Sequence, residues 1–460
     1  MNLLIGFVIL ICLFASETGN PGPVEQPKVR IALVGLIAFI VPALAILQTI
    51  FFTRRLNDPG IPYEKHQLNM RRLSACHSAV WFIASMAIIY ALKWHEIIRV
   101  NWGLEDWILV DDFFILLPIV GSLVLSWVIF FEIQSALQTA NHLKTKRENE
   151  FKKRFRFVKI RIQVYLFIVL IPILAGVLFK DALLWVQTLS TVEQLVVGLF
   201  IVVLTACLSP MMFRWLWNSE SLTSHLRNPL ERICRDNHLK IQDIRVWKTG
   251  SQIVNALVVG FVPRLRFVLL SDRLIEHFQD NEICAIFRHE MAHLKRYHLP
   301  IRSGFILLPI VMLAISEFTG QGWVATKFDS LCDQISIAES GRILIGGSIY
   351  LAYLIVTLAW LSRGMEFESD LVSCYSKRDS KFDAVQANDM SDALLRLVSY
   401  CPDQLQRRTL FHPSVLERIA VLQRVQQDPQ DARRMLTLVQ CRRWKGLAIL
   451  TALIWCICFI

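Results

Sequence analysis

Eight apolar runs of membrane-spanning or nearly spanning length divide the chain, near residues 31–52, 77–92, 113–131, 163–179, 194–213, 303–316, 342–361 and 446–460. A hydrocarbon core about 30 Å thick takes roughly 20 helical residues to cross. Inside it each backbone N–H and C=O must bond within its own segment, so such runs fold as helices. Several runs are short, which points to tilted or partly re-entrant segments and a total of about 8–9 spans. The first apolar stretch, 3–15, has the length of a signal-peptide core. It lacks a basic start and a clear small-x-small cleavage site, so it reads as an uncleaved first span rather than a signal peptide. Composition agrees with a polytopic membrane protein: 54% of residues are hydrophobic, 19% are charged, and the mean hydropathy is +0.45.

Loop charge gives the expected orientation. Lys144, Lys146, Arg147, Lys152, Lys153, Arg154, Arg156, Lys159 and Arg161 crowd one loop, and Arg54, Arg55, Lys65, Arg71 and Arg72 mark another. Basic loops stay in the cytosol. The loops at 93–112 and 317–340 carry more acid and are expected outside. Threading the spans in order then puts 218–300 and 362–445 on the cytosolic side, joined by a membrane hairpin. The net charge of +11 is explained by these loops, so nucleic acid is not an expected partner; anionic lipid heads are. The eleven cysteines are scattered, with no C-x-x-C pair, which excludes a disulfide framework and fits a reducing compartment. A bacterial inner membrane suits this pattern.

Within the first cytosolic part, Arg288-His289-Glu290-Met291-Ala292-His293 reads H-E-x-x-H inside a helix-like run over 281–298. Residues four apart share a helical face, so His289 and His293 can reach one metal ion. Zinc takes neutral imidazole nitrogens, polarises carbonyls and acidifies water, and Glu290 stands where a proton acceptor is needed. The plain alternative is a solvated amphipathic helix with two ordinary histidines. A third ligand decides between them. The position ten residues after the first histidine is Leu299, which excludes a metzincin. His298 lies one residue short, beside Leu299-Pro300 where the helix should end, and reads as a helix-end cation or a solvated residue. Downstream, Glu366 and Asp370 are four apart and share a face. Glu366 can bind zinc while Asp370 accepts a hydrogen bond from a ligating histidine. Glu368 points to another side. The alternative there is a charged helix end outside a span.

These residues together resemble the HtpX-like and CAAX-prenyl-protease-type membrane zinc endopeptidases over roughly residues 218–425. Asn255-Ala256 precedes Arg266-Phe267-Val268-Leu269-Leu270-Ser271-Asp272, the histidine helix follows, then Ser362-Arg363 with Glu366 and Asp370, then His412-Pro413 with Glu417-Arg418-Ile419. The resemblance implies one zinc per chain held by His289, His293 and Glu366, with Glu290 as general base and acid and Asp370 behind a ligand. It implies His412 and Arg418 near the site, where either could steady an oxyanion. It also implies Asn255 and Ala256 as an edge strand that holds an extended polypeptide substrate. Ala292 and Ser369 replace a common Gly and Ala of the family without threatening the chemistry. The long membrane-rich N-terminal half lies outside the resemblance.

The expected fold is therefore mainly α: a multi-pass helical membrane protein with a cytosolic α+β zincin-like peptidase domain. Its parts are a multi-span region (1–217), a first peptidase half (218–300), a transmembrane hairpin (301–361), a second half (362–442) and a last span (443–460). Residues 218–240 read as helix. Strands at 244–247, 253–259 and 267–270 read as a small antiparallel sheet. Asp280 reads as the N-cap of the histidine helix, 378–388 as loop, and 391–400 and 415–426 as helices. The expected activity is hydrolysis of membrane-associated or misfolded proteins. Two rivals are a sensor-transducer protease that cuts a cytosolic repressor and a silent scaffold or transporter. Asp111 and Asp112 could suit an ion path, but at a span boundary solvation is the simpler reading.

Overall fold

A computed structural model of the chain describes residues 2–15, 22–56, 63–105, 107, 109–140, 149–167, 169–170, 173, 190–250, 252–318, 323–335, 339–375, 382–400, 405–406 and 408–459. The chain forms two compact units, Met1–Leu189 with Cys332–Leu351, and Ser190–Leu331 with Ala352–Ile460.

The first unit is helical: α1 (Asn2–Ala15), α2 (Pro27–Leu56), α3 (Tyr63–Met86), α4 (Val110–Ala140) and α5 (Glu150–Arg161). Val8, Ile9, Trp81, Ile97, Ile115 and Trp127 fill its core. The one polar edge of Trp81 is satisfied by the Ile119 carbonyl at 2.9 Å. α2 turns Leu36, Phe39, Leu47 and Phe51 outward, an apolar face that water would not tolerate and lipid does. Asp111 and Asp112 are not solvated. Both are buried at the start of α4, with Arg99 Nε 2.7 Å from Asp111 and Nη2 3.6 Å from Asp112. A closed ion pair is a structural element, since a lone buried charge would be costly.

Among the described residues, five helices are long and apolar enough to cross a membrane: Pro27–Leu56, Leu68–Ala91, Val110–Leu137, Val196–Leu216 and Leu344–Ser373. Shorter apolar stretches at Leu4–Leu13 and His298–Met312 correspond to the runs at 3–15 and 303–316. The run at 163–179 and the basic segment 144–148 lie largely or wholly outside the described residues, and the last run falls in a long C-terminal helix.

The second unit opens with α6 (Thr191–Leu216) and α7 (Arg227–Asp236) around a four-stranded sheet. Its strands are β1 (Ser219–Ser221), β2 (Asp243–Trp247), β3 (Ala256–Val259) and β4 (Phe267–Ser271), in the order β1-β2-β4-β3. The sheet is mixed rather than antiparallel. β1 and β3 run against their neighbours, but β2 and β4 are parallel, with Asp243 opposite Phe267. β4 therefore has a partner on each side and is buried along its whole length.

Helices α8 (Asp280–Lys295), α9 (His298–Phe318), α10 (Glu339–Ser373), α11 (Ala384–Tyr400), α12 (Val415–Gln427) and α13 (Pro429–Phe459) follow. Ile283, Phe287 and Met291 form one face of α8 and pack on Ala256, Val268 and Leu270 of the sheet. Each such side chain contributes about 1.5–3 kcal/mol on burial. At about 100° per residue, His289 stands roughly 200° from Phe287, so anchoring the apolar face turns the histidines the other way. The N-cap of α8 is Gln279, not Asp280. The Gln279 N–H donates to Glu282 at 2.7 Å, and Asp280 is the first helical residue. Residues 384–388 are the start of α11 rather than loop, whereas 378–381 lie outside the described residues. The helix within 218–240 is confined to α7.

Candidate active site

α8 and α10 place their functional residues on facing sides. His289 Nε2 and His293 Nε2 are 3.1 Å apart. Glu366 Oε2 is 3.5 Å from the first and Oε1 3.6 Å from the second. These three residues can each offer one ligand atom, all within 4.8 Å of one another. Tetrahedral zinc with bonds of about 2.0–2.1 Å separates its ligand atoms by roughly 3.3 Å, which is the scale of this triangle. The outer nitrogens confirm the fit. His289 Nδ1 is 2.9 Å from Asp370 Oδ1, and a carboxylate only accepts, so the proton lies on Nδ1. The lone pair on Nε2 then points at Glu366 and His293, an arrangement that needs a cation between the donors.

Burial works against charge on His289, but its hydrogen bonds to Asp370 and Glu366 outweigh it and hold its pKa at about 9. Burial is also the largest influence on His293, whose pKa falls well below its ordinary value, with the charge of His289 adding to the effect. Metal ligation needs both imidazoles neutral, so it competes with protonation of His289.

Glu290, next to His289 on α8, is partly buried. Burial pushes its carboxyl up to about 7, opposed by His289 and reinforced by Glu366. Asp370 is fully enclosed. It takes a bidentate bond from Arg418, with Nη2 to Oδ1 at 2.6 Å and Nε to Oδ2 at 2.7 Å, besides its contact with His289. Arg418 is therefore committed behind the ligands, and its Nη1 stays 3.8 Å from Glu366. His412 is exposed and sets Nδ1 3.1 Å from Glu366 Oε2. Arg302 on α9 brings Nη2 to 3.8 Å from Glu366 Oε1.

Ala256 begins β3, the edge strand, and α8 lies along it. Asn255 is tied to β4, with the Ser271 N–H donating to its carbonyl at 3.0 Å and its own N–H donating to Ser271 Oγ at 3.0 Å. In an antiparallel ladder paired residues alternate, so Ala256 and Val258 turn their backbone groups to the open edge. Among the described residues no strand occupies that edge.

Two site residues escape the linear pattern. His298 is not a solvated helix end. It is buried, 2.9 Å from His293 Nδ1 and 3.2 Å from Glu368. Glu368 does turn away from the metal triangle, as its spacing from Glu366 requires, and is buried against His298. The break between α8 and α9, with Tyr297 in the left-handed region at φ 57°, brings His298 back onto the site.

The family model described as peptidase family M48 matches residues 220–426. That region is an M48 peptidase domain. It contains every residue of the metal triangle. "Protease HtpX homolog 2" of Methanosarcina mazei is 23% identical over 236 residues, which is 46% of this chain and 75% of that protein. "Protease HtpX homolog" of Campylobacter concisus is 21% identical over 201 residues, 40% of this chain and 69% of that protein. The crystal structure of S. mikatae Ste24p aligns with 87% of this chain and all of its own at 14% identity and a TM-score of 0.46. With its apolar helices, the chain is a multi-pass membrane protein carrying an M48 metallopeptidase domain.

Proposed function

We propose that the chain is a zinc endopeptidase that hydrolyses membrane-associated or misfolded polypeptides at the cytosolic face of the membrane. The observation that carries the proposal is the convergence of His289, His293 and Glu366 on one point with Glu290 beside it. His289, His293 and Glu366 would hold the ion. When bound there, zinc supplies a Lewis acid that polarises the scissile carbonyl and acidifies water. Glu290 takes the proton from the attacking water and returns it to the leaving nitrogen. His412, exposed with Nδ1 3.1 Å from Glu366 Oε2, would donate to the oxygen that gains charge. Asp370 and Arg418 hold His289 in its tautomer. An extended substrate would add to the open edge of β3 through Ala256 and Val258, which leaves sequence preference to side-chain pockets.

The test is Glu290→Gln in the full-length protein. Zinc content measured on the purified variant should match wild type, while peptide-bond cleavage should fall by roughly 10³-fold or more. Undiminished cleavage would refute the role of Glu290, and a wild type that takes up no zinc would refute the metal assignment.

A further inference from the structure

We propose that His298 and Glu368 form a buried relay that positions His293, a counterpart to the Asp370–Arg418 pair behind His289; this rests on the zinc reading above. His298 is 1% exposed and Glu368 is fully enclosed. The contacts form a chain: His293 Nδ1 to His298 Nδ1 at 2.9 Å, then His298 Nε2 to Glu368 Oε2 at 3.2 Å. On the far side, Gln440 Nε2 donates to Glu368 Oε1 at 3.2 Å and Arg296 Nε stands 3.4 Å away.

The proton positions follow from Glu368. With Gln440 donating to it and Arg296 beside it, the group is a carboxylate, which only accepts. His298 must then carry its proton on Nε2. In the neutral imidazole its Nδ1 is then a lone pair, which makes His293 the donor in the contact between the two rings. That places the proton of His293 on Nδ1 and its lone pair on Nε2, facing His289 and Glu366. The relay therefore selects the one tautomer of His293 that can bind a metal. Ser369 Oγ lies 3.3 Å from the same His298 Nδ1. Tyr297, held in the left-handed region at φ 57°, is the turn that delivers His298 to this position. His298 and Glu368 are positioning residues; neither offers an atom to the triangle.

The experiment uses metal-stripped full-length protein in detergent, titrated with zinc against a chromophoric chelator and with cobalt followed by visible absorption. His298→Leu removes the acceptor at similar bulk. His298→Asn keeps an amide oxygen near the Nδ1 position. Glu368→Leu removes the end of the relay and serves if the first variant does not fold. Zinc affinity should drop about 10–100-fold in His298→Leu and Glu368→Leu, with an altered cobalt spectrum. His298→Asn should recover most of the affinity. A purely structural role would lower thermal stability in all three and leave the metal affinity and the cobalt spectrum of the folded protein unchanged, and that result overturns the relay. A wild type that binds no zinc overturns the metal reading as well, whereas wild-type binding with unaffected variants overturns the relay alone.

Discussion

Asp370 answers two demands with one carboxylate. Arg418 needs a buried counter-charge, and His289 needs an acceptor that fixes its proton on Nδ1. The two demands separate by mutation. Asp370→Asn keeps the volume and one acceptor but not the charge, so it should lose about 10–100-fold in zinc affinity while costing less stability than full truncation. Asp370→Ala leaves the Arg418 guanidinium buried without its partner, which costs about 3–5 kcal/mol of stability. Thermal unfolding and chelator competition on the two variants distinguish these effects. Equal behaviour of both variants would contradict a divided role. Thiol chemistry tests the core beside the site. Burial pushes Cys234 and Cys374 up to about 12, with Glu231 adding at Cys234 and a hydrogen bond from Ser373 opposing at Cys374. Their thiolate fraction is therefore negligible near pH 8. Mass spectrometry after mild alkylation should find both unmodified in the folded protein and modified after denaturation.

At the scale of the element, α12 matters because Arg418 stands in its first turns. Ser414 caps it: the Glu417 N–H donates to Ser414 Oγ at 3.3 Å, and the Ser414 N–H donates to Glu417 Oε2 at 2.9 Å. Arg408 hydrogen-bonds Glu417, and despite the opposing effect of burial this pulls its carboxyl from 4.5 to about 2. A depressed carboxylate stabilises the fold above its unfolded pKa and loses that contribution as pH falls through the folded one. Glu417→Ala should thus cost about 1 kcal/mol at neutral pH. The difference from wild type should shrink as pH drops from 4.5 towards 2, as followed by thermal unfolding. A pH-independent difference would mean that packing, not the capped carboxylate, is at work. The helices themselves were legible because their signals are local. The i,i+4 pairs His289–His293 and Glu366–Asp370 and the Ser414 cap all lie within one or two turns. The sheet was legible only as strands. β2 pairs in parallel with β4, leaving β3 as the other neighbour, and apolar runs do not encode which non-local partner a strand takes. His298 was misread for a related reason: its partners are His293, across a helix break, and Glu368, 70 residues away.

At the scale of the molecule, the site requires residues 289–293 and 366–370 to lie on one side of the bilayer. A chain that leaves that side after α8 must return before Glu366. An odd number of crossings between them would separate the ligands, so their convergence demands an even number. The side itself is set by charge. α5 carries Lys152 and Lys159 on its exposed face, with Phe151 and Phe155 beside them, the composition of a helix resting at a lipid surface rich in anionic heads. Positive loops remain in the cytosol, so α5 and the M48 domain are both expected there. Single cysteines at Lys152 and Asp236, both exposed, probe the two regions. The exposed Cys76 and Cys441 are first replaced by serine. A membrane-impermeant maleimide applied to intact cells should label neither probe, and applied to inverted vesicles should label both. Labelling of both from outside would reverse the orientation and place proteolysis on the far face. Labelling of one from each side would put an odd number of crossings between α5 and α7, contrary to the charge pattern that places both in the cytosol.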